Sequence, residues 1–326
     1  FFRNVRTPYK VWISEVMLQQ TRADVADDYF QRWMRLYPSL ENVAKASEDQ
    51  LIKSWEGLGY YSRVRNIHRA SKLIVNSYAG RFPSTRKELE SLPGIGPYTA
   101  GAILSFAYKQ KALAVDGNVM RVISRIYGIH EDISIPKTKK IIEEKVLQLL
   151  DYDYPFLVSE ALIEFGALIC MPKPACIICP IQKYCYANKE HLQKHLPVKS
   201  KKISIIKKEK IAFVINVHDH YLVKKEEKGK VMSDLYQFPL FDFDSEIKEE
   251  EIEQFVQEHL QINAVFLKKG RKIEYHFTRY KVVLYPVYLK ANNKKNLAPY
   301  EWFSLSTLQG KPFSSGHRKI LKRLAE

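Results

Sequence analysis

The stretch Leu92-Pro-Gly-Ile-Gly-Pro-Tyr-Thr-Ala100 decides the fold of the first half of the chain. Two glycines flank one apolar residue between two segments with a helical pattern. Glycine lets the backbone turn sharply and approach a ligand closely, while Ile95 can anchor the turn in the core. The amides of Gly94 and Gly96 would then point outward at the start of the next helix, where an anion is favoured. The pattern indicates a helix–hairpin–helix that grips a DNA phosphate, although a plain turn between two helices uses glycine in the same way.

Helical signals continue on both sides of this hairpin, and residues 1–190 contain no alternating strand pattern. Pro8 suits the first turn of a helix, and Ser47 followed by Gln50 is a capping-box pattern. The sequence therefore predicts an all-α domain over residues 1–190. The predicted helices run from Pro8 towards Trp33, from Ser47, from Tyr60 to Tyr78, from Ser84 to Leu92, from Tyr98 to Tyr108, from Asp116, over 136–150 and over 155–169.

The pattern changes after a basic linker predicted at 191–210, which contains Pro197 and a run of lysines. Beyond it, short segments rich in β-branched and aromatic residues have the chemistry of strands. One helix is predicted among them, at Glu249–Leu260, and another closes the chain from Ser315. Residues 211–326 are therefore predicted to form an α+β domain.

Composition narrows the class of protein. Of the 326 residues, 46% are hydrophobic and 27% are charged, which suits two folded domains and excludes a disordered chain. The 52 Lys and Arg residues exceed the 36 Asp and Glu residues, so the net charge is +16. A charge of this size favours a polyanionic partner, although a solvated basic surface has the same composition. With no apolar run long enough for a bilayer and no signal peptide pattern, we expect no membrane partner and a cytoplasmic location.

Two acidic residues stand in patterns that suit catalysis. On a helix Glu15 shares its face with Val11 and Leu18, and a carboxyl group among apolar side chains has a raised pKa and can act as an acid near neutral pH. Asp116 precedes a helical run, where a cap would hold its carboxylate in place. Gln20 adds an uncharged group suited to base edges. The alternatives are an ordinary glutamate at the rim of the core and a plain N-cap.

All four cysteines lie close together, in the pattern Cys170-x5-Cys176-x2-Cys179-x5-Cys185. A disulfide framework would spread its cysteines along the chain, whereas thiols packed this tightly indicate a metal or cluster site in a reducing compartment. Tetrahedral zinc and a [4Fe–4S] cluster both suit four thiolates. The spacing alone does not decide between them.

Together these motifs resemble the adenine DNA glycosylases of the MutY type, within the helix–hairpin–helix superfamily. The resemblance covers nearly the whole chain. The second half, residues 211–326, resembles that family's C-terminal domain, which has a Nudix-like fold and recognises 8-oxoguanine; it carries no Nudix box of acidic residues, so pyrophosphate hydrolysis is not implied. The matching segments are Pro8–Thr21, Gly57–Tyr61 and Val115–Arg121, the four-cysteine loop, and Leu235–Pro239 in the second half.

The resemblance implies a monomeric enzyme that hydrolytically removes adenine opposite 8-oxoguanine or guanine in double-stranded DNA, in the bacterial nucleoid, and that holds a [4Fe–4S] cluster on the four cysteines. Glu15 would protonate the flipped adenine and Asp116 would stabilise an oxocarbenium-like sugar, with Tyr98 and Asn118 assisting. The remaining matches assign Arg3, Leu18 and Glu160 to the adenine pocket, Gln20, Tyr60, Gly94, Ile95 and Gly96 to DNA binding, and Phe277, Thr278 and Arg279 to 8-oxoguanine recognition.

Tyr98 separates the chain from the endonuclease III type, which carries a lysine there and cleaves the strand through a Schiff base. A tyrosine cannot form that imine, so the chain is predicted to be a monofunctional glycosylase. The rival interpretations are a glycosylase for another damaged base that also cleaves the strand, and a non-catalytic DNA-binding protein.

Two segments depart from the family's pattern. The first cysteine gap is five residues, where the family usually has six. The lesion-reading loop is Phe-Ser-His in the family and Phe277-Thr-Arg279 here. Threonine keeps the hydroxyl, whereas arginine does not reproduce a histidine.

Overall fold

The computed structural model describes residues 7–200, 204–227, 229–230, 232–243, 248–277 and 279–326. The chain divides into two compact units. The first unit contains Phe1–Lys45 and Asn66–Lys202, and the second contains Ala46–Arg65 and Ile203–Glu326. The predicted succession of a helical half and an α+β half is confirmed.

Helices dominate the described residues of the first half. Pro8, Pro97, Pro136 and Pro155 each stand in the first turn of a helix, where the missing N–H would have had no intrahelical partner. None of the helices in the described parts of the chain is both long and apolar enough to cross a membrane. The helices are α1 Pro8–Leu18, α2 Ala23–Leu36, α3 Leu40–Lys45, α4 Glu48–Ser54, α5 Ser62–Ser77, α6 Arg86–Ser91, α7 Pro97–Ala102, α8 Gly117–Tyr127, α9 Pro136–Leu149, α10 Pro155–Leu168 and α11 Tyr186–Lys189.

Two predicted boundaries in this half were wrong, and one predicted helix changes its type. The segment from Pro8 towards Trp33 forms two helices, α1 and α2, because the backbone at Gln20 is left-handed, with a φ of 57°. The N-cap of α6 is Thr85 and not Ser84, since the Thr85 hydroxyl accepts a hydrogen bond from the third backbone amide beyond it. The segment predicted as helical from Tyr98 to Tyr108 is helical from Pro97 to Ala107, but after α7 it is a π-helical turn, Ile103–Ala107.

Apolar packing fixes α8, the helix that Asp116 opens. Val119 and Ile123 of α8 are buried against Ile142 and Val146 of α9, and side chains of α10 complete this cluster. The beginning of α8 is therefore held by two neighbouring helices.

The second half adds a sheet with helices on both faces. Its strands are β1 Ile206–Val217, β2 His220–Lys225, β3 Tyr236–Gln237, β4 Leu240–Asp242, β5 Ala264–Lys269, β6 Ile273–Phe277, β7 Tyr280–Ala291 and β8 Tyr300–Ser304, and its helices are α12 Glu249–Leu260, α13 Leu305–Gly310 and α14 Ser315–Ala325. The order is β3-β2-β1-β7-β5, and β4 pairs with β1, β6 with β7 and β8 with β2. At the centre β1 and β7 run parallel. The strand β1 begins at Ile206, inside the segment predicted as linker.

Side chains of β1 alternate between two cores, because successive Cβ atoms of a strand point to opposite faces. Phe213 belongs to the core that includes Val256 of α12. Val214 belongs to the other core, with Ile320 of α14. The two helices thus cover opposite faces of the sheet.

Residues 46–65 group with the second unit, whereas the sequence analysis places them in the helical domain. The carboxylate of Glu56 lies 2.9 Å from the Nη2 atom of Arg318. The guanidinium of Arg65 lies 3.0 Å from a carboxylate oxygen of Asp234. No local sequence pattern reveals such pairs, because their partners are far apart along the chain.

Candidate active site and cysteine pocket

Glu15 projects from α1 among buried side chains. The helix is capped by Thr7, whose side chain accepts a hydrogen bond from the amide of Lys10, and Val11, Ser14 and Val16 around Glu15 are buried. Burial raises the pKa of the Glu15 carboxyl from 4.5 to about 7. It is therefore a group that can hold a proton at neutral pH and release it.

Tyr98 is the direct partner of Glu15. Its hydroxyl donates a hydrogen bond of 2.6 Å to the Oε2 atom of Glu15. Burial raises the pKa of Tyr98 well above its ordinary value, and the neighbouring Glu15 adds to the increase. The phenol therefore stays protonated and stabilises the ionised form of Glu15, which partly opposes the effect of burial on the Glu15 pKa.

Asp116 caps α8 and belongs to the same site. Its Oδ1 atom accepts a hydrogen bond of 2.8 Å from the backbone amide of Val119, and its Oδ2 atom accepts one of 2.8 Å from the side-chain amide of Asn118. Burial raises the pKa of Asp116, and these two hydrogen bonds act in the opposite direction. The negative charges of Asp116 and Glu160 contribute to the raised pKa of Glu15.

The site therefore holds two carboxyl groups in different environments. Glu15, with a pKa of about 7, suits proton transfer. Asp116 is oriented by two N–H donors, so its carboxylate has a fixed direction. Two carboxyl groups divided in this way can protonate a leaving group and stabilise a developing positive charge.

The glycine hairpin has the predicted form. Gly94 adopts a φ of +76°, and a Cβ atom there would lie 2.6 Å from the Cβ of Asn66, so a larger residue would be both strained and obstructed. Ile95 is only 3% exposed, which anchors the turn. Gly94 and Gly96 are exposed, and Gly96 is the N-cap of α7.

The structure brings some of the predicted site residues together and leaves others apart. Glu15, Tyr98, Asp116, Asn118 and Glu160 interact directly or electrostatically within the first unit. Half-buried Leu18 and exposed Gln20 lie at the end of α1 and just beyond it. Tyr60, Phe277 and Arg279 belong to the second unit, and Arg3 and Thr278 lie outside the described residues.

The four cysteines line one pocket, together with Arg125. All four are free thiols and partly buried. Burial raises the pKa of Cys176 and Cys179, and the neighbouring thiols add to the increase. In the described residues no group of three or more His, Cys, Asp or Glu side chains is arranged around a single metal position.

This donor set suits a metal centre held by thiolates. Four soft thiolates around one cavity suit an iron–sulfur cluster, whose several irons each take one thiolate. A single tetrahedral zinc would need all four sulfur atoms at about 2.3 Å from one point.

Two arginines on α8 were missed by the sequence analysis. Arg121 donates to the side-chain oxygen of Asn118 and, through its Nε atom, to the carbonyl of Cys170, both at 2.8 Å. Arg125 is buried, 3% exposed, and its Nη1 atom lies 3.4 Å from the Sγ atom of Cys170. The two arginines are four residues apart, which places both on one face of α8. This spacing is the sequence signal from which their shared contact with the cysteine loop could have been predicted.

Comparisons with known proteins agree with this geometry. A family model described as HhH-GPD superfamily base excision DNA repair protein matches residues 13–151, and a NUDIX domain model matches residues 211–323. The adenine DNA glycosylase of Buchnera aphidicola subsp. Schizaphis graminum is 33% identical over 329 residues, which cover 97% of this chain and 91% of that protein. The adenine DNA glycosylase of Homo sapiens is 39% identical over 193 residues, 59% of this chain and 35% of that protein.

Among solved structures, a thermostable thymine-DNA glycosylase is 28% identical, with a TM-score of 0.52 and coverage of 58% of this chain and 88% of that chain. The similarity to the Buchnera protein extends over almost the whole length of both chains and includes both matched domains. The chain is therefore a DNA glycosylase and belongs to the adenine DNA glycosylase family.

Proposed function

We propose that this enzyme removes adenine paired with 8-oxoguanine, or with guanine, from double-stranded DNA by hydrolysing the N-glycosidic bond of a flipped-out nucleotide. The observation that carries the proposal is the buried carboxyl of Glu15, with a pKa of about 7 and a 2.6 Å hydrogen bond from Tyr98. We propose adenine as the base that is removed because the relatives are named adenine DNA glycosylases. The Nudix-like domain and its loop at 277–279 motivate the 8-oxoguanine partner.

In this proposal Glu15 gives its proton to a ring nitrogen of adenine, so that the base leaves as a neutral molecule when the bond to the sugar breaks. Asp116 stabilises the positive charge that develops on the sugar. The side-chain amide of Asn118 keeps the carboxylate of Asp116 oriented. A water molecule then adds its oxygen to the sugar carbon, and its proton returns to Glu15. The products are free adenine and an abasic site.

Tyr98 supports an enzyme that stops at the abasic site. A lyase needs an amine that forms an imine with the opened sugar, and the partner of Glu15 is a phenol. Tyr98 holds and tunes the acid in this proposal.

The remaining predicted residues take supporting roles. Cys170, Cys176, Cys179 and Cys185 would hold a [4Fe–4S] cluster, whose iron–thiolate bonds cross-link the loop when it is bound. The domains are proposed as 1–190 for catalysis, 191–210 as linker and 211–326 for lesion recognition, in a monomer located with the bacterial chromosome. The adenine pocket is assigned to Arg3, Leu18 and Glu160, DNA contacts to Gln20, Tyr60, Gly94, Ile95 and Gly96, and 8-oxoguanine recognition to Phe277, Thr278 and Arg279.

A nicking assay tests the proposal. The duplex carries one adenine opposite 8-oxoguanine, and the products are analysed with and without hot alkali. We expect strand breaks only after alkali, since alkali cleaves an abasic site that the enzyme leaves intact. Breaks without alkali would identify a lyase, and no breaks under either condition would indicate a DNA-binding protein. Duplexes with guanine or thymine opposite the adenine serve as controls for the partner base.

A further inference from the structure

The Tyr60 loop, residues 57–61, is a strained segment whose Gly57 and Tyr60 are exposed. Gly57 and Gly59 have φ values of 104° and 70°, and Tyr60, which is not a glycine, has a φ of 48°. The Tyr60 side chain is 41% exposed. A tyrosine persists in this left-handed region only where its surroundings hold it there.

Part of that support lies next to the loop in sequence. The guanidinium of Arg63 donates to the carbonyl oxygens of Leu58, at 3.0 Å, and Gly59, at 3.2 Å. It also lies over the rings of Trp55 and Tyr60, at 5.3 and 5.6 Å from their centroids. These contacts shape the turn, and the buried side chains of Trp55 and Leu58 anchor it.

Further support comes from both flanks of the loop, within the second unit. On one side, Glu56 accepts hydrogen bonds from the Nε and Nη2 atoms of Arg318 on α14. The two side chains are only 12% and 16% exposed, so water screens the pair weakly. Lys53 also donates to Glu56, at 2.8 Å.

On the other side, Arg65 lies 3.0 Å from the carboxylate of Asp234 and donates to the carbonyl of Ser233. Asp234 is 6% exposed. The loop is therefore bracketed by two ion pairs of opposite polarity, a glutamate before it and an arginine after it.

We propose that Arg318 and Asp234 are positioning residues, which hold the Tyr60 loop through Glu56 and Arg65 and so set how Tyr60 meets DNA. The inference rests on the proposed function in one respect, the assignment of Tyr60 to DNA binding. What is new is that Arg318 and Asp234, which belong to the Nudix-like domain, control the DNA contact of Tyr60, which lies in the N-terminal half of the sequence. Neither residue needs to touch DNA itself.

The experiment uses the full-length chain and the variant Arg318→Met, which keeps an apolar stem of similar length and loses the charge. Hydrogen exchange of the amides at 57–61 is measured in the absence of DNA. The dissociation constant is measured for a duplex that carries a non-cleavable adenine analogue opposite 8-oxoguanine. We expect faster exchange in the loop and roughly 2- to 30-fold weaker binding, the range of effects for residues that act through others.

The matched control is Lys230→Met. Lys230 forms an exposed ion pair with Glu227 at 2.8 Å, so the variant loses the same charge in the same unit without touching the loop. It measures the loss of DNA affinity that follows from net charge alone. The pair Glu56→Arg with Arg318→Glu should restore part of the affinity lost in either single variant, because it rebuilds the ion pair with reversed polarity. Arg318→Lys should lose less than Arg318→Met.

A double-mutant cycle with Tyr60→Ala gives the decisive comparison. If Arg318 acts through Tyr60, Arg318→Met weakens DNA binding much less in the Tyr60→Ala background than in the wild type. Unchanged exchange at 57–61, or a loss of affinity that is additive with Tyr60→Ala, would overturn the inference. If Tyr60→Ala itself left affinity unchanged, the assignment of Tyr60 to DNA would fail and the inference with it, whereas adenine removal would still stand on the nicking assay.

Discussion

At the scale of single residues, the carboxyl of Glu15 is subject to two opposing influences. Burial raises its pKa to about 7, and the hydrogen bond from Tyr98 lowers it. Burial alone would keep the group protonated, whereas a general acid must also release its proton. A balance that ends near neutral pH suits both steps.

Glu15→Gln is expected to lower the rate of adenine release by about 10²- to 10⁴-fold, the usual contribution of a positioned acid. The amide is nearly isosteric and can still accept the hydrogen bond from Tyr98, so binding of lesion duplex should be almost unchanged. Single-turnover kinetics and a binding titration measure the two quantities. Glu144→Gln, the same change on the exposed face of α9, is the control. Wild-type release by Glu15→Gln would show that another group supplies the proton.

The same pKa predicts how stability depends on pH. The folded-state pKa of Glu15, about 7, lies above its ordinary value of 4.5. Between these values the folded chain binds more protons than the unfolded chain, so the free energy of unfolding falls as the pH rises. Glu15→Gln removes this effect, because an amide does not ionise. The residue Glu15 as a whole is only half-buried, so the usual value of about 1.4 kcal/mol for each pKa unit is discounted, and we expect the variant to be about 2 kcal/mol more stable than wild type at pH 8.

At pH 5, only slightly above the ordinary pKa of 4.5, the two proteins should differ much less, because the difference builds up as the pH rises from the unfolded-state pKa of Glu15 to its folded-state pKa. Urea unfolding at both values of pH measures the difference. A gain that is equal at pH 5 and pH 8 would mean that the substitution improves packing and that the pKa of Glu15 is close to normal.

At the scale of elements, α8 connects the two centres of the first unit. Its N-cap, Asp116, faces the candidate active site, and Arg121, one turn further along, donates to the carbonyl of Cys170. The helix is buried against α9 and α10, so these groups keep a fixed spacing. The cysteine loop itself contains only short 3-10 turns and the four-residue α11, and its main-chain hydrogen bonds close local turns without building a long helix or a strand.

We therefore predict that the loop holds a [4Fe–4S] cluster and depends on it. The purified enzyme should be brown, with absorbance near 400 nm (roughly) and about four irons per chain. Cys176→Ala should lose the absorbance and most of the iron. Met171→Ala, which removes a sulfur atom from the same loop without removing a thiol, should retain both. One zinc and no iron in the metal analysis would overturn the assignment.

Much of this element-level structure was predictable from local patterns. The capping box at Ser47 and the cap at Asp116 mark helix starts that the structure confirms, because a cap is a local hydrogen bond between residues two or three apart. The helix Glu249–Leu260 was predicted to the residue. The left-handed Gln20 was missed, since no glycine marks the turn. The grouping of 46–65 with the second unit was missed as well, because Glu56 and Arg65 find their partners more than 160 residues away.

At the scale of the whole molecule, the net charge of +16 provides general attraction to DNA, and specificity has to come from particular contacts. The candidates for recognising 8-oxoguanine lie where β6 turns into β7. Phe277 stacks at 6.0 Å on Tyr275 and lies 5.3 Å from Tyr280, measured between ring centroids. The Arg279 guanidinium lies 5.6 Å from the Tyr280 centroid. An aromatic side chain held in this way can wedge into stacked bases.

Phe277→Ala in the full-length chain is expected to slow adenine removal opposite 8-oxoguanine while leaving removal opposite guanine almost unchanged. A recognition contact of this kind is worth about 1–3 kcal/mol of discrimination. The control is Phe303→Ala, because Phe303 packs against the same core from another strand, β8, so its loss costs stability without touching the turn. Single-turnover rates of adenine removal opposite 8-oxoguanine and opposite guanine are measured, and the ratio of the two rates is compared between the variants and the wild type. Equal losses on both substrates would mean that this domain contributes only general affinity, and that 8-oxoguanine is read by a different loop.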